Sequence, residues 1–104
     1  MPGAEALIVL TTLSSADEAV TLVRALLDRR LIACGTLLPG ARSLYRWEDR
    51  LADEQEVVVL LKTQSPRLAD LHPYKVPELL ALPVRAGNAP YLEWLVRETA
   101  LATT

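Results

Sequence analysis

Apolar positions along the chain fall in short blocks set apart by polar residues, prolines and glycines. The first, "ALIVLTTL" from Ala6 to Leu13, predicts a β-strand. Ser15-x-x-Glu18 then matches a capping box and predicts a helix reaching to about Arg30. Ala19, Val20, Val23, Leu26 and Leu27 recur there at helical spacing and make its apolar stripe. Leu31 to Leu38 reads as a strand broken by Pro39-Gly40, and "RSLYRWE" alternates as an extended arm. The charged residues from Asp49 through Glu54 predict a hairpin-like turn, and Glu56 to Thr63, "EVVVLLKT", is the clearest strand. Ser65-Pro66 opens a short helix. Pro73 ends it, because the residue before a proline avoids helical backbone. Glu78 to Val84 predicts a fourth strand, and Asn88 and Pro90 start a closing helix with Leu92, Leu95 and Val96 on one side.

This order is βαββαβ with an extra C-terminal helix, the split βαβ or ferredoxin-like α+β sandwich. At 104 residues the chain is one domain, 1–104. Right-handed crossovers set both helices of that plan on one face of the sheet. The strands, however, are apolar on both faces. Val57, Val59 and Leu61 point one way, Val58 and Leu60 the other; Ile8 and Leu10 oppose Leu7 and Val9, and Leu80 and Leu82 oppose Leu79 and Ala81. An antiparallel sheet with one wet face alternates apolar with polar residues, and these strands do not. The uncovered side predicts self-association through the sheet, most economically as a closed ring of like subunits.

Composition narrows the partners. Hydrophobic residues make up 51% of the chain but aromatics only 5%, so the core is Leu, Val and Ala. The net charge of −2 comes from 11 basic and 13 acidic residues mixed along the chain, which argues against nucleic acid or an anionic membrane as partner. The apolar runs are too short to span a bilayer as a helix. One cysteine allows no internal disulfide, and no leader-like start is seen, so a reducing, cytoplasmic setting is expected.

The candidate chemistry is sparse. His72, the single histidine, precedes Pro73-Tyr74. Possible fellow ligands for a metal ion are Cys34, Glu78 and Glu56, none close in sequence. As a structural residue, His72 would end the second helix. Cys34 sits in an apolar run, where free cysteine also serves as a small hydrophobe. Ser43, Tyr45 and Trp47 share one side of their arm and wall a pocket or pack on a neighbour. Tyr74, between two prolines, is displayed on a stiff segment. Lys62 ends a buried strand and must reach water or a carboxylate, which makes it a cleft candidate. No glycine-rich phosphate cradle, acid/base pair or nucleophile elbow appears, so the chain reads as non-enzymatic.

With these residues in view, the chain resembles the CutA family of divalent-cation-tolerance proteins. The matching segments are "LIACGTLLPGARSLYRWED", "VVVLLKT", "LHPYKVPELLALPV" and "NAPYLEWL". The resemblance implies a ferredoxin-like subunit in a PII-like homotrimer, linked to tolerance of copper and other divalent ions, with ligands or metal in clefts between subunits. Carried over, it puts His72, Cys34 and Glu78 forward as metal candidates, with copper as the candidate ion, and Tyr45, Trp47, Lys62 and Tyr74 as cleft residues. Two departures stand out. Thr11 and Leu71-His72 stand where some members carry a cysteine and a His-His pair, which removes one thiolate and one imidazole. "QSPRLAD" is also about two helical turns shorter than the family's segment. Two rival readings are a PII-like sensor of a small anion or nucleotide, and an assembly module that docks another protein.

Overall fold

The computed structural model describes residues 6–64 and 72–99. In chain order it holds β1 (Leu7–Leu13), α1 (Ala16–Asp28), β2 (Cys34–Trp47), β3 (Arg50–Thr63), β4 (Leu80–Pro83) and α2 (Ala89–Glu98). The strands form one antiparallel sheet in the order β2-β3-β1-β4. The short helix expected after Ser65-Pro66 lies outside the described residues.

Helix α1 starts where the capping pattern predicts. Ser15 is the N-cap, and its hydroxyl accepts from the Glu18 N–H at 3.1 Å. The reciprocal half of the box is absent, because the Glu18 carboxylate takes the hydroxyl of Ser14 instead. The helix ends at Asp28, and Arg30 turns the chain with φ +55°. Its buried face is Ala19, Leu22, Val23 and Leu26. The predicted stripe is therefore corrected by one step around the axis: Leu22 faces the sheet, while Val20 and Leu27 are about 40% exposed. Gly35 of β2 lets α1 approach closely, since an added Cβ would stand 2.8 Å from both methyls of Val23.

Register divides the sheet into two faces. Leu7, Val9, Thr11 and Leu13 pair with Thr63, Leu61, Val59 and Val57. This face packs on α1 and forms the core, with Leu13, Val59 and Leu61 fully buried. The opposite face carries Ile8, Leu10, Thr12, Val58, Leu60 and Lys62, flanked by Cys34, Thr36 and Leu38 on β2 and by Leu80 and Leu82 on β4. In the single chain Ile8, Leu10, Val58 and Leu60 are only half-buried, and Leu38, Leu80 and Leu82 are about 50% exposed. Helix α2 buries Leu95 and ends on the sheet's margin, where Gln64 donates to the Thr99 hydroxyl at 2.7 Å. The uncovered apolar face expected from the strand pattern is present.

Three strand boundaries differ from expectation. β2 does not begin at Leu31 or break at Pro39-Gly40; it runs unbroken from Cys34 to Trp47. Proline and glycine are absorbed in a β-bulge between Leu38 and Ala41, with Gly40 at φ +84°. The turn is not spread over Asp49 to Glu54. It is two residues, Glu48 and Asp49, at φ +52° and +63°, and Trp47 pairs with Arg50 across it. Positive φ at both positions is the primed-turn geometry that suits the strands' twist. β4 is limited to Leu80–Pro83, an edge strand that tolerates Pro83. Asn88 stands at the α2 N-cap, but its side chain makes no capping bond.

β1 reaches only to Val57 on β3. Beyond it, Ala41–Trp47 and Arg50–Glu56 form a two-stranded arm with no further strand beside it among the described residues. Such a ribbon is marginal on its own. Here Arg42 clamps Asp53 through two bonds of 2.8 and 2.6 Å, and Tyr45 donates to Glu54 at 3.0 Å.

Candidate functional site

The bulge decides what the arm presents. Without it, alternation from Leu38 would carry Arg42, Leu44 and Arg46 onto the uncovered face. One extra residue reverses the parity, so that Ala41, Ser43, Tyr45 and Trp47 lie on the side of Leu38, opposite Glu56, Glu54, Ala52 and Arg50. The uncovered face thus continues onto the arm as Ser43, Tyr45, Trp47 and Glu56.

Against this stretch lies the connector from His72 to Leu79, in neither helix nor strand. Between them is a cavity of about 610 Å³. Its walls are Tyr45, Trp47, Ser43 and Glu56 from the arm, Thr12 from β1, and Tyr74, Val76 and Glu78 from the connector, with Arg42 and Leu44 at the side. The polar groups are arranged around acids. Ser43 donates to Glu56 at 2.7 Å. The hydrogen bond to Glu54 raises the Tyr45 phenol's pKa, helped by partial burial and by the charges of Glu54, Glu56 and Tyr74. Arg42 is spent on Asp53, whose carboxyl it holds below the ordinary range.

His72 is buried beside this cavity and is held at both ring nitrogens. Nδ1 lies 3.1 Å from the Tyr74 nitrogen, and Nε2 lies 2.9 Å from the Thr11 hydroxyl. Burial lowers its pKa, outweighing the Thr12 backbone and the charge of Glu18, which act the other way. Its ring meets that of Tyr74 edge-on, with centroids 4.8 Å apart.

Cys34 and Lys62 sit elsewhere. They are cross-strand partners on the uncovered face, away from the cavity. The Lys62 ammonium donates to the Thr36 hydroxyl at 2.6 Å and lies 3.7 Å from the Cys34 sulfur. Lys62 lies six residue steps along β3 from Glu56, roughly 20 Å of strand.

Of the seven residues singled out in the sequence, the structure gathers Tyr45, Trp47, Tyr74 and Glu78 in one cavity, puts His72 behind its wall, and leaves Cys34 and Lys62 as a separate pair. Within one chain, His72, Cys34 and Glu78 do not converge. Among the described residues no three His, Cys, Asp or Glu side chains cluster as a metal site. Thr12 escapes a reading of the sequence, and Glu56, named there only as a possible fellow ligand of His72, stands in the cavity wall. Glu56 does carry a signal: it is the acidic end of the same-side run Glu56, Val58, Leu60, Lys62. The Thr11–His72 contact spans 61 positions and has none.

Comparison with known proteins agrees with this architecture. Residues 7–98 match the model of the CutA1 divalent ion tolerance protein family. A relative from Pectobacterium atrosepticum, named divalent-cation tolerance protein CutA, is 45% identical over 101 residues, covering 90% of this chain and 92% of its own. The solved divalent cation tolerance protein of Thermus thermophilus superposes with a TM-score of 0.85 at 42% identity, covering 90% of this chain and 98% of its own. CutA1 of Ehrlichia chaffeensis gives 0.86 at 25% identity, covering 95% and 99%. These matches span most of the chain and its fold, and the chain belongs to the CutA1 divalent ion tolerance family.

Proposed function

We propose that this chain serves divalent-cation tolerance as a non-enzymatic homotrimer that takes up a divalent ion or small ligand in clefts between its subunits, in the cytoplasm. The observation that carries this reading is the continuity of two surfaces. The apolar face of Ile8, Leu10, Val58, Leu60, Leu80 and Leu82 runs through Thr12 and Glu56 into the acidic, aromatic cavity. Copies that cover the apolar face would bring a second chain against that cavity. Burying one such Val or Leu side chain contributes roughly 1.5–3 kcal/mol, so several per subunit support a tight assembly.

Metal binding is the finer part of the proposal. Glu56 and Glu78 offer the oxygen donors that hard divalent ions prefer, and Cys34 offers sulfur at the far end of the same face, where it suits copper. Because no three such donors cluster among the described residues of one chain, the ion of this proposal draws on more than one subunit. His72 would join only by giving up a protein hydrogen bond. Calorimetric titration of the metal-free protein with copper and zinc tests this, with Glu78→Gln, Cys34→Ser and His72→Ala alongside. Loss of binding in Glu78→Gln or Cys34→Ser supports the reading; equal binding by all forms removes it.

Lys62 favours a second reading, a PII-like sensor of a small anion or nucleotide. Among the described residues its ammonium has no carboxylate within ion-pair distance. A thermal-shift panel of phosphate, sulfate and nucleotides tests it, and unchanged melting across the panel counts against it.

A further inference from the structure

His72 links the centre of the sheet to the wall of the cavity. A backbone N–H can only donate, so the 3.1 Å contact from Tyr74 requires a lone pair on Nδ1. The proton of the neutral ring is then on Nε2, and it is donated to the hydroxyl of Thr11, a fully buried residue of β1. Acceptance from the amide two residues on is the geometry that an asparagine side chain makes in an Asx turn, performed here by an imidazole. The same ring stacks edge-on against Tyr74. Pro73 and Pro77 bracket the segment and limit its backbone. Tyr74, Val76 and Glu78 follow His72 directly and form one wall of the cavity.

We infer that His72 is a positioning residue of the cleft. It ties the Tyr74–Glu78 wall to β1 through Thr11 and does not itself meet the ligand. The functional half of this inference rests on the cavity being the ligand site proposed above; the structural half does not. An imidazole with both nitrogens committed to protein partners is poorly placed to ligate an ion, yet removing it frees the Tyr74 amide and leaves the Thr11 hydroxyl without its partner.

The test uses the whole chain as wild type, His72→Asn, His72→Ala and Thr11→Val. His72→Asn keeps an acceptor for the Tyr74 N–H but has no imidazole. Thr11→Val removes the anchor from the opposite side and covers the case in which His72→Ala fails to fold. Nitrogen-15 spectra at pH 8 report the tautomer of the single histidine, amide exchange reports Tyr74, and calorimetry with zinc reports the cleft. The expected results are an Nε2–H tautomer and a Tyr74 amide that exchanges roughly three- to tenfold faster in His72→Ala, with a smaller rise in Thr11→Val and in His72→Asn, which lack only the tie to β1. Zinc affinity should fall in His72→Ala and also in Thr11→Val, which keeps the imidazole. An Nδ1–H tautomer, unchanged Tyr74 exchange in both His72→Ala and Thr11→Val, or zinc affinity lost in His72→Ala but unchanged in Thr11→Val would overturn the inference, the last by making the imidazole a ligand. If the wild type takes up no zinc, the metal reading of the cavity fails, and tautomer and exchange alone decide the place of His72.

Discussion

Ala41 lies three residues after Leu38, yet their partners on β3, Glu56 and Val58, are two apart. This single extra residue turns the arm over and sets Ser43, Tyr45 and Trp47, in place of Arg42, Leu44 and Arg46, on the side of the uncovered face. Gly40, at φ +84° with open space around it, carries the strain of the bulge. Gly40→Ala should therefore destabilise the fold by about 1–2 kcal/mol through backbone strain alone. Urea denaturation measures this. Deletion of Gly40 should do more, restoring uninterrupted pairing and sending Tyr45 and Trp47 to the other side. Unchanged Trp47 spectra after deletion would contradict the parity argument.

The hairpin end offers a prediction of opposite sign. Glu48 and Asp49 both hold positive φ, which costs a non-glycine residue roughly 1–2 kcal/mol. Asp49→Gly should relieve part of that strain and stabilise the chain by about 0.5–1 kcal/mol, net of the added freedom of the unfolded state. A melting temperature that stays level or falls would argue against the two-residue primed turn.

The uncovered face predicts an assembly defect without a folding defect. Leu60→Asp places a charge on the half-buried side of β3, away from the α1-packed core of Val59 and Leu61. In sedimentation the wild type should run as a trimer and the variant as a smaller species with the same far-ultraviolet spectrum. A wild type that sediments as a single folded chain at micromolar concentration removes the proposed assembly.

Acid should weaken the fold through His72. Burial lowers its pKa below the ordinary value near 6.5, so the unfolded chain takes up a proton before the folded one does. The contribution of the neutral ring is whole above pH 6.5. It is lost as pH falls from there toward the lowered folded value, by at most about 1.4 kcal/mol per unit. Urea denaturation between pH 5.5 and 7.5, at fixed protein concentration, should show this slope in the wild type. His72→Asn should flatten it; an equal slope in both would assign the effect to other groups.

Much of the architecture was legible in the sequence because it follows from local rules. The spacing of Ser15 and Glu18 located the start of α1, and "EVVVLLKT" located β3. The doubled apolar faces told of a sheet with one side uncovered, since alternation of side chains along a strand needs no partner to be read. The motifs around Tyr45, Trp47, Tyr74 and Glu78 also pointed to residues that do share a cavity.

What the sequence left open depended on pairing. Pro39-Gly40 reads equally well as a break or as a bulge, and only β3, running unbroken alongside, keeps the strand whole. The charged stretch from Asp49 to Glu54 looks like a turn until cross-strand partners draw Arg50 to Glu54 into the ladder and leave Asp49 in the turn. Leu22 and Val20 compete for the same stripe on α1, and the sheet's position chooses Leu22. The ties from His72 to Thr11 and from Lys62 to Cys34 join residues distant in sequence. Periodicity and capping act over a few residues and can be read from the chain; register and long-range hydrogen bonds exist only once distant strands have met, so tertiary structure alone decided them.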